Sequence, residues 1–237
     1  MYKLPRVPQY QLPKAVHYKR ARDTAQCQCD PDCPNKPLAK SPFCKDHQNK
    51  CLRKAPVSES TPPYDPTIYN KYKGIQESHN CYAYAMGYKH MPKKCNKDSC
   101  PIGYPQPGYK SGYPEWSNTK GKRCPDIIAR VLGDAPKTQL STFEQKCPKG
   151  SRKVAFVADH DEDYHVYRQD ADGYWSHKPG ATEVTNLDAL GRRIYDPQLA
   201  SRFSKSSNLN YDRFCGYLCI QHTNRRKLRR TIRRKKH

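Results

Sequence analysis

Three residues in this chain have types and spacing suited to thiol chemistry: Cys81, His165 and His177. Cys81 lies in His79-Asn80-Cys81-Tyr82-Ala83-Tyr84-Ala85. A thiol becomes a nucleophile when ionised, and the start of a helix favours the anion through its free N–H groups and macrodipole. The partner must be an imidazole held by a third group. His165 lies in Asp163-Tyr164-His165-Val166-Tyr167-Arg168-Gln169-Asp170, and His177 in Tyr174-Trp175-Ser176-His177-Lys178-Pro179-Gly180. In that reading Cys81 attacks a carbonyl, its own N–H helps to hold the oxyanion, and His165 protonates the leaving group. Cys81 as a packed small hydrophobe and His165 as a hydrogen-bonded sheet residue is the competing reading.

The elements that must position these residues are legible in outline. Asn80 can cap a helix from Cys81 to about Met86, stopped by Gly87. Cys124 to Leu132 reads as a second helix, with Pro125 early and Gly133 closing it. Lys153 to Ala158 reads as a buried strand, and Phe214 to Ile220 as a last strand. Tyr164 to Gln169 and Tyr174 to His177 form a hairpin around Ala171-Asp172-Gly173. Counting back across that turn brings His177 near His165, but a one-residue slip would move it to the opposite face. Ser176 and Asp170 are weaker candidates for the third group. Two helices followed by antiparallel strands make an α+β domain over residues 67–222.

A second chemistry-bearing segment precedes this domain. Residues 27–51 hold Cys27, Cys29, Cys33, Cys44, His47 and Cys51. A stretch this short has no core of its own and needs a staple. Cys29, Cys33, Cys44 and His47 are the expected ligands of a structural zinc site, with Cys27 and Cys51 as substitute ligands or a disulfide pair, and disulfides in place of zinc are the alternative staple for the segment. Residues 52–66, with Pro56, Pro62, Pro63 and Pro66, read as a linker.

Charge and composition describe the rest. The formal net charge is +22 with 21 prolines, so extended arms around a modest core are expected, and a polyanionic partner with them. Residues 1–26 read as a basic, proline-bearing arm. Residues 223–237 form a basic tail in which Arg225, Arg226, Lys227, Arg229, Arg230, Arg233, Arg234, Lys235 and Lys236 are the candidate polyanion-binding residues. No run approaches the ~20 apolar residues of a membrane span. The N-terminus has no apolar signal-peptide core, so a reducing, cytosolic compartment is expected, where cysteines serve metals or catalysis before disulfides.

The block from His79 to Cys219 resembles a papain-like hydrolase module of the NlpC type. The resemblance implies Cys81 as nucleophile, His165 as base and His177 as third polar residue, and a fold that cleaves peptide or amide bonds. Tyr104-Pro105-Gln106-Pro107-Gly108 resembles the Pro-Gly step of such modules, although Tyr109-Lys110-Ser111-Gly112 stands where those modules carry acidic and apolar residues. Ser41-Pro42-Phe43-Cys44-Lys45-Asp46-His47 resembles short zinc knuckles of large DNA viruses. The expectation is therefore a structural protein of a large DNA virus particle, located in the virion and in host cytoplasm during assembly. In that role its arms tie neighbouring virion proteins or genome together. A cysteine peptidase or amidase is the first alternative, and a zinc-knuckle nucleic-acid-binding protein the second.

Overall fold

The computed structural model describes residues 25–116, 122–159, 162–204 and 207–221. The polyanion-binding residues expected in the tail, and nearly all of the N-terminal arm, lie outside the described residues.

Among the described residues the order is four helices and then seven strands. The helices are α1 (Thr67–Asn70), α2 (Lys73–Ser78), α3 (Cys81–Ala85) and α4 (Cys124–Asp134). The strands are β1 (Gln139–Ser141), β2 (Ser151–Asp159), β3 (Asp163–Gln169), β4 (Trp175–His177), β5 (Phe203–Ser204), β6 (Leu209–Asn210) and β7 (Arg213–Gln221). Five strands form one antiparallel sheet in the order β1-β7-β2-β3-β4, and β5 pairs with β6 separately. The architecture is α+β, with both faces of the sheet covered.

Helices α3 and α4 cover one face. Ile127, Ile128 and Val131 recur at helical spacing along α4 and bury against Val154, Phe156, Leu218 and Ile220. Each such side chain contributes about 1.5–3 kcal/mol when fully buried. Helix α4 starts with Pro near its first position and Asp126 in its first turn, and it runs through Gly133 to Asp134. The other face of β2 carries Ala155 and Val157, packed with Tyr167, Trp175, Phe143, Ile194 and Tyr217. Because both faces are buried, β2 reads as a continuous apolar run after its first residues rather than as an alternation.

A bulge decides how β7 faces the two cores. Phe156 pairs with Gly216 and Val157 with Phe214, which leaves Cys215 as the extra residue. Gly216 has φ +128°, a region open to glycine. The extra residue puts Phe214 and Tyr217 on the same face and turns Cys215 towards α4.

Four disulfides correct the expectation of a reduced compartment: Cys29–Cys51, Cys95–Cys100, Cys124–Cys215 and Cys147–Cys219. Disulfides of this number form and persist in oxidising surroundings. Two of them anchor β7, one to the start of α4 and one to the loop after β1. Residues 52–66 lie against the sheet: Ala55 is part of the second core, and its carbonyl accepts a bond from the buried Gln169 side chain (2.8 Å). Arg53 pairs with the buried Asp196.

Candidate functional site

Helix α3 begins where its sequence says it should. The Asn80 side chain accepts the Ala83 N–H at 3.0 Å, which caps the helix and leaves Cys81 as its first residue. Gly87, at φ +70°, closes it. The Gly87 N–H bonds the Tyr84 carbonyl and the Tyr88 N–H bonds the Ala83 carbonyl, both at 2.9 Å, a Schellman ending.

The hairpin register brings the two histidines together. Tyr167 pairs with His177 across β3 and β4, so His177 is the diagonal neighbour of His165 on one face. His165 Nε2 lies 2.7 Å from His177 Nδ1, and the rings meet edge-on at 4.9 Å. The far nitrogen of His177, Nε2, is 2.9 Å from the Leu187 carbonyl. A carbonyl only accepts, so His177 Nε2 carries a proton. Burial holds His177 neutral, with its pKa pushed down to about 4, so its Nδ1 is the acceptor. His165 therefore donates through Nε2. Burial, with the His177 ring beside it, also holds His165 well below its ordinary value, and its Nδ1 is left as a lone-pair acceptor.

Cys81 and both histidines line one cavity of about 990 Å³, together with Tyr164, Tyr167 and Tyr211. The cavity takes lining residues from both faces of β3. Tyr164 and Val166 pack into the helix-side core with Cys81, whereas Tyr167, which shares its face with His165, packs into the other. Among the described residues no hydrogen bond joins Cys81 to His165. Cys81 is 5% exposed. Burial, aided by the Asp163 carboxylate, pushes its thiol up to about 12, against smaller opposing contributions from backbone groups of Val166 and Tyr82. At neutral pH the site therefore holds a neutral thiol and a neutral imidazole pair. Of the weaker candidates, Ser176 bonds the Tyr84 hydroxyl (2.7 Å), and Asp170 pairs with Arg168 (2.9 Å).

The cysteine segment folds differently from its expected ligand set. Cys29 is bonded to Cys51, and Cys27 takes its place beside Cys33, Cys44 and His47. The four ligand atoms lie within 4.8 Å of one another and could hold a metal ion. Cys27 Sγ and Cys44 Sγ are each 3.4 Å from His47 Nδ1, and Cys33 Sγ is 3.8 Å from Cys44 Sγ. Residue spacing alone does not separate Cys27 from Cys29, since both sit two residues apart on an irregular segment.

Several positioning groups carry no sequence signal. The Leu187 carbonyl is one, because any residue supplies a carbonyl. Gln28 is another: a glutamine between two cysteines reads as surface, yet it is fully buried.

No known family model matches the chain. No solved structure matches it. A curated protein does: insoluble matrix shell protein 1 of Ruditapes philippinarum is 33% identical over 146 residues, which cover 62% of this chain and 82% of that protein. The chain belongs to that protein's family. This overturns the expected virion location, since the family member is a shell matrix protein of a mollusc and not a particle protein. Among the described residues no helix is long and apolar enough to cross a membrane.

Proposed function

We propose that this chain is a structural, non-enzymatic component of an insoluble extracellular matrix. The observation that carries this reading is its relation to insoluble matrix shell protein 1. The disulfide-braced sheet supports it. The net charge of +22 suits acidic neighbours in such a matrix. The test is fractionation of the tissue that makes the protein, followed with an antibody. Recovery from the insoluble extracellular fraction, released by denaturant, is expected. Recovery from a soluble cell lysate overturns the reading.

A structural zinc ion at Cys27, Cys33, Cys44 and His47 is part of the proposal. A tetrahedral site with Zn–S of ~2.3 Å and Zn–N of ~2.0–2.1 Å has S–S edges near ~3.8 Å and S–N edges near ~3.5 Å. The distances of 3.8, 3.4 and 3.4 Å agree with those edges. Three cysteines and one histidine fill the coordination sphere, so such a site is closed and structural.

A second reading keeps the Cys81 cavity as a papain-like acyl-transfer site. The free Nδ1 of His165, fixed by the His177 and Leu187 bonds, is the observation that favours it. Exposure to an activated phenyl ester tests it. Acylation of Cys81 that is lost in Cys81→Ser and much slower in His165→Ala supports the reading. Equal acylation in His165→Ala removes the base and with it the reading.

A further inference from the structure

We infer that the metal knuckle seats the cavity wall through Gln28, and so holds His177 and His165 in their paired tautomers. Gln28 is a positioning residue in this scheme, and the inference rests on the zinc reading above.

Gln28 follows the ligand Cys27 directly and precedes Cys29, whose disulfide to Cys51 closes the knuckle. Its backbone N–H bonds the Pro42 carbonyl at 2.8 Å, which fixes it to the strand of chain leading to Cys44. Its side chain points out of the knuckle into the main domain and is fully buried. There Oε1 accepts the N–H groups of Tyr195 (2.7 Å) and Asp196 (3.1 Å), while Nε2 donates to Asp188 Oδ2 (3.4 Å). One amide side chain thus satisfies two backbone donors and one carboxylate.

Asp188 is the hub of the segment it touches. Oδ1 accepts the N–H groups of Leu190 and Arg192, each at 3.0 Å. Oδ2 accepts the Arg192 guanidinium (2.7 Å) and the Ser201 N–H (3.2 Å). Asp188, Ala189, Gly191 and Ser201 all line the cavity. Leu187, the residue before Asp188, supplies the carbonyl that accepts the hydrogen bond from the His177 Nε2–H. The path from knuckle to imidazole pair is therefore Gln28, Asp188, Leu187, His177, His165. Three further contacts run in parallel: the Arg192 guanidinium donates to the Gln26 carbonyl (3.3 Å), Phe43 meets Tyr195 edge-on at 4.7 Å, and Cys51 Sγ lies 3.5 Å from the Tyr195 hydroxyl.

The His177 backbone does not depend on this path. It exchanges hydrogen bonds with Thr185 in both directions, at 2.8 and 2.9 Å. Loosening the knuckle should therefore leave the hairpin standing and free the ring. A ring that loses the Leu187 carbonyl no longer has its proton fixed on Nε2, and His165 then loses the acceptor that fixes its own.

Imidazole nitrogen NMR on the full chain, with zinc measured on the same samples, reads this directly. Protein holding one zinc should give a single tautomer for each of the two rings. Stripping zinc with a chelator, or His47→Ala, should convert both rings to tautomer mixtures while the hairpin amide signals persist. Gln28→Met keeps the side-chain volume and removes both polar ends; it should retain zinc and still give the mixtures. If zinc binds but its removal leaves both tautomers unchanged, the coupling is wrong and the zinc site stands. If the folded chain takes up no zinc, the zinc reading and this inference fail together. Should Gln28→Met not fold, the chelator arm on the natural chain decides alone.

Discussion

At the level of single residues, environment outweighs identity at Cys81. A capped helix start lowers a thiol's pKa, yet burial and Asp163 raise this one to about 12. At pH 8 the thiolate fraction is about 10³-fold below that of an ordinary cysteine near 8.5. Alkylation of Cys81 by iodoacetamide, followed by mass spectrometry, should be slower by a comparable factor. Labelling as fast as that of a free peptide thiol would return the site to catalysis. His177 carries a pH prediction. Its folded pKa of about 4 lies below the unfolded value of ~6.5, so between them the unfolded chain binds the extra proton. Stability therefore rises with pH across that window and falls on acidification, by up to about 3 kcal/mol for this group. Urea midpoints at pH 7 and pH 4 should differ less in His177→Gln than in the natural chain.

Among the elements, β7 depends on its two cross-links and α4 on its apolar stripe. Cys124–Cys215 spans 91 residues and Cys147–Cys219 spans 72, so each restricts a long loop in the unfolded chain. Replacing Cys147 and Cys219 together with Ala should cost roughly 2–5 kcal/mol in denaturant unfolding. A cost near zero would mean that the bond does not brace the sheet. Ile127 is fully buried between α4 and the sheet, and Ile127→Ala should cost about 2–5 kcal/mol by the same measurement. The longer elements are legible in the sequence. Helices α3 and α4, strands β2, β3, β4 and β7, and the β3–β4 turn all appear within a few residues of where patterning puts them. The short β1, β5 and β6 carry too few residues for any period to emerge. The faces of β7 could not be read from alternation, because the bulge at Cys215 shifts the count by one.

On the scale of the whole molecule, the knuckle and the proline-bearing segment after it act as parts of one body. Arg53 reaches the buried Asp196, which also accepts the Tyr217 hydroxyl on β7. The Arg53 guanidinium also lies over the Phe143 ring at 4.0 Å. Asp196→Ala leaves Arg53 paired with Glu144 but takes the acceptor from the buried Tyr217 hydroxyl, so it should destabilise the fold by about 1–3 kcal/mol. It should also loosen residues 52–66 in hydrogen exchange. Protection there equal to that of the natural chain would mean that the segment is held by other contacts.

Local rules are enough to specify the α+β class, the capped start of α3, the histidine hairpin and a cysteine-rich staple before residue 52. Those rules are capping, hydrophobic period, turn residues and the small size of the segment, and each acts over a few neighbouring residues. The remaining features depend on contacts between distant parts of the chain. Folding paired Cys29 with Cys51 and left Cys27 with the metal-type cluster, because pairing depends on which thiols are brought within bonding distance. It joined His165 to His177 through a register that a one-residue slip would have undone. It also buried Cys81, and burial is a property of everything packed around a residue rather than of its neighbours in sequence.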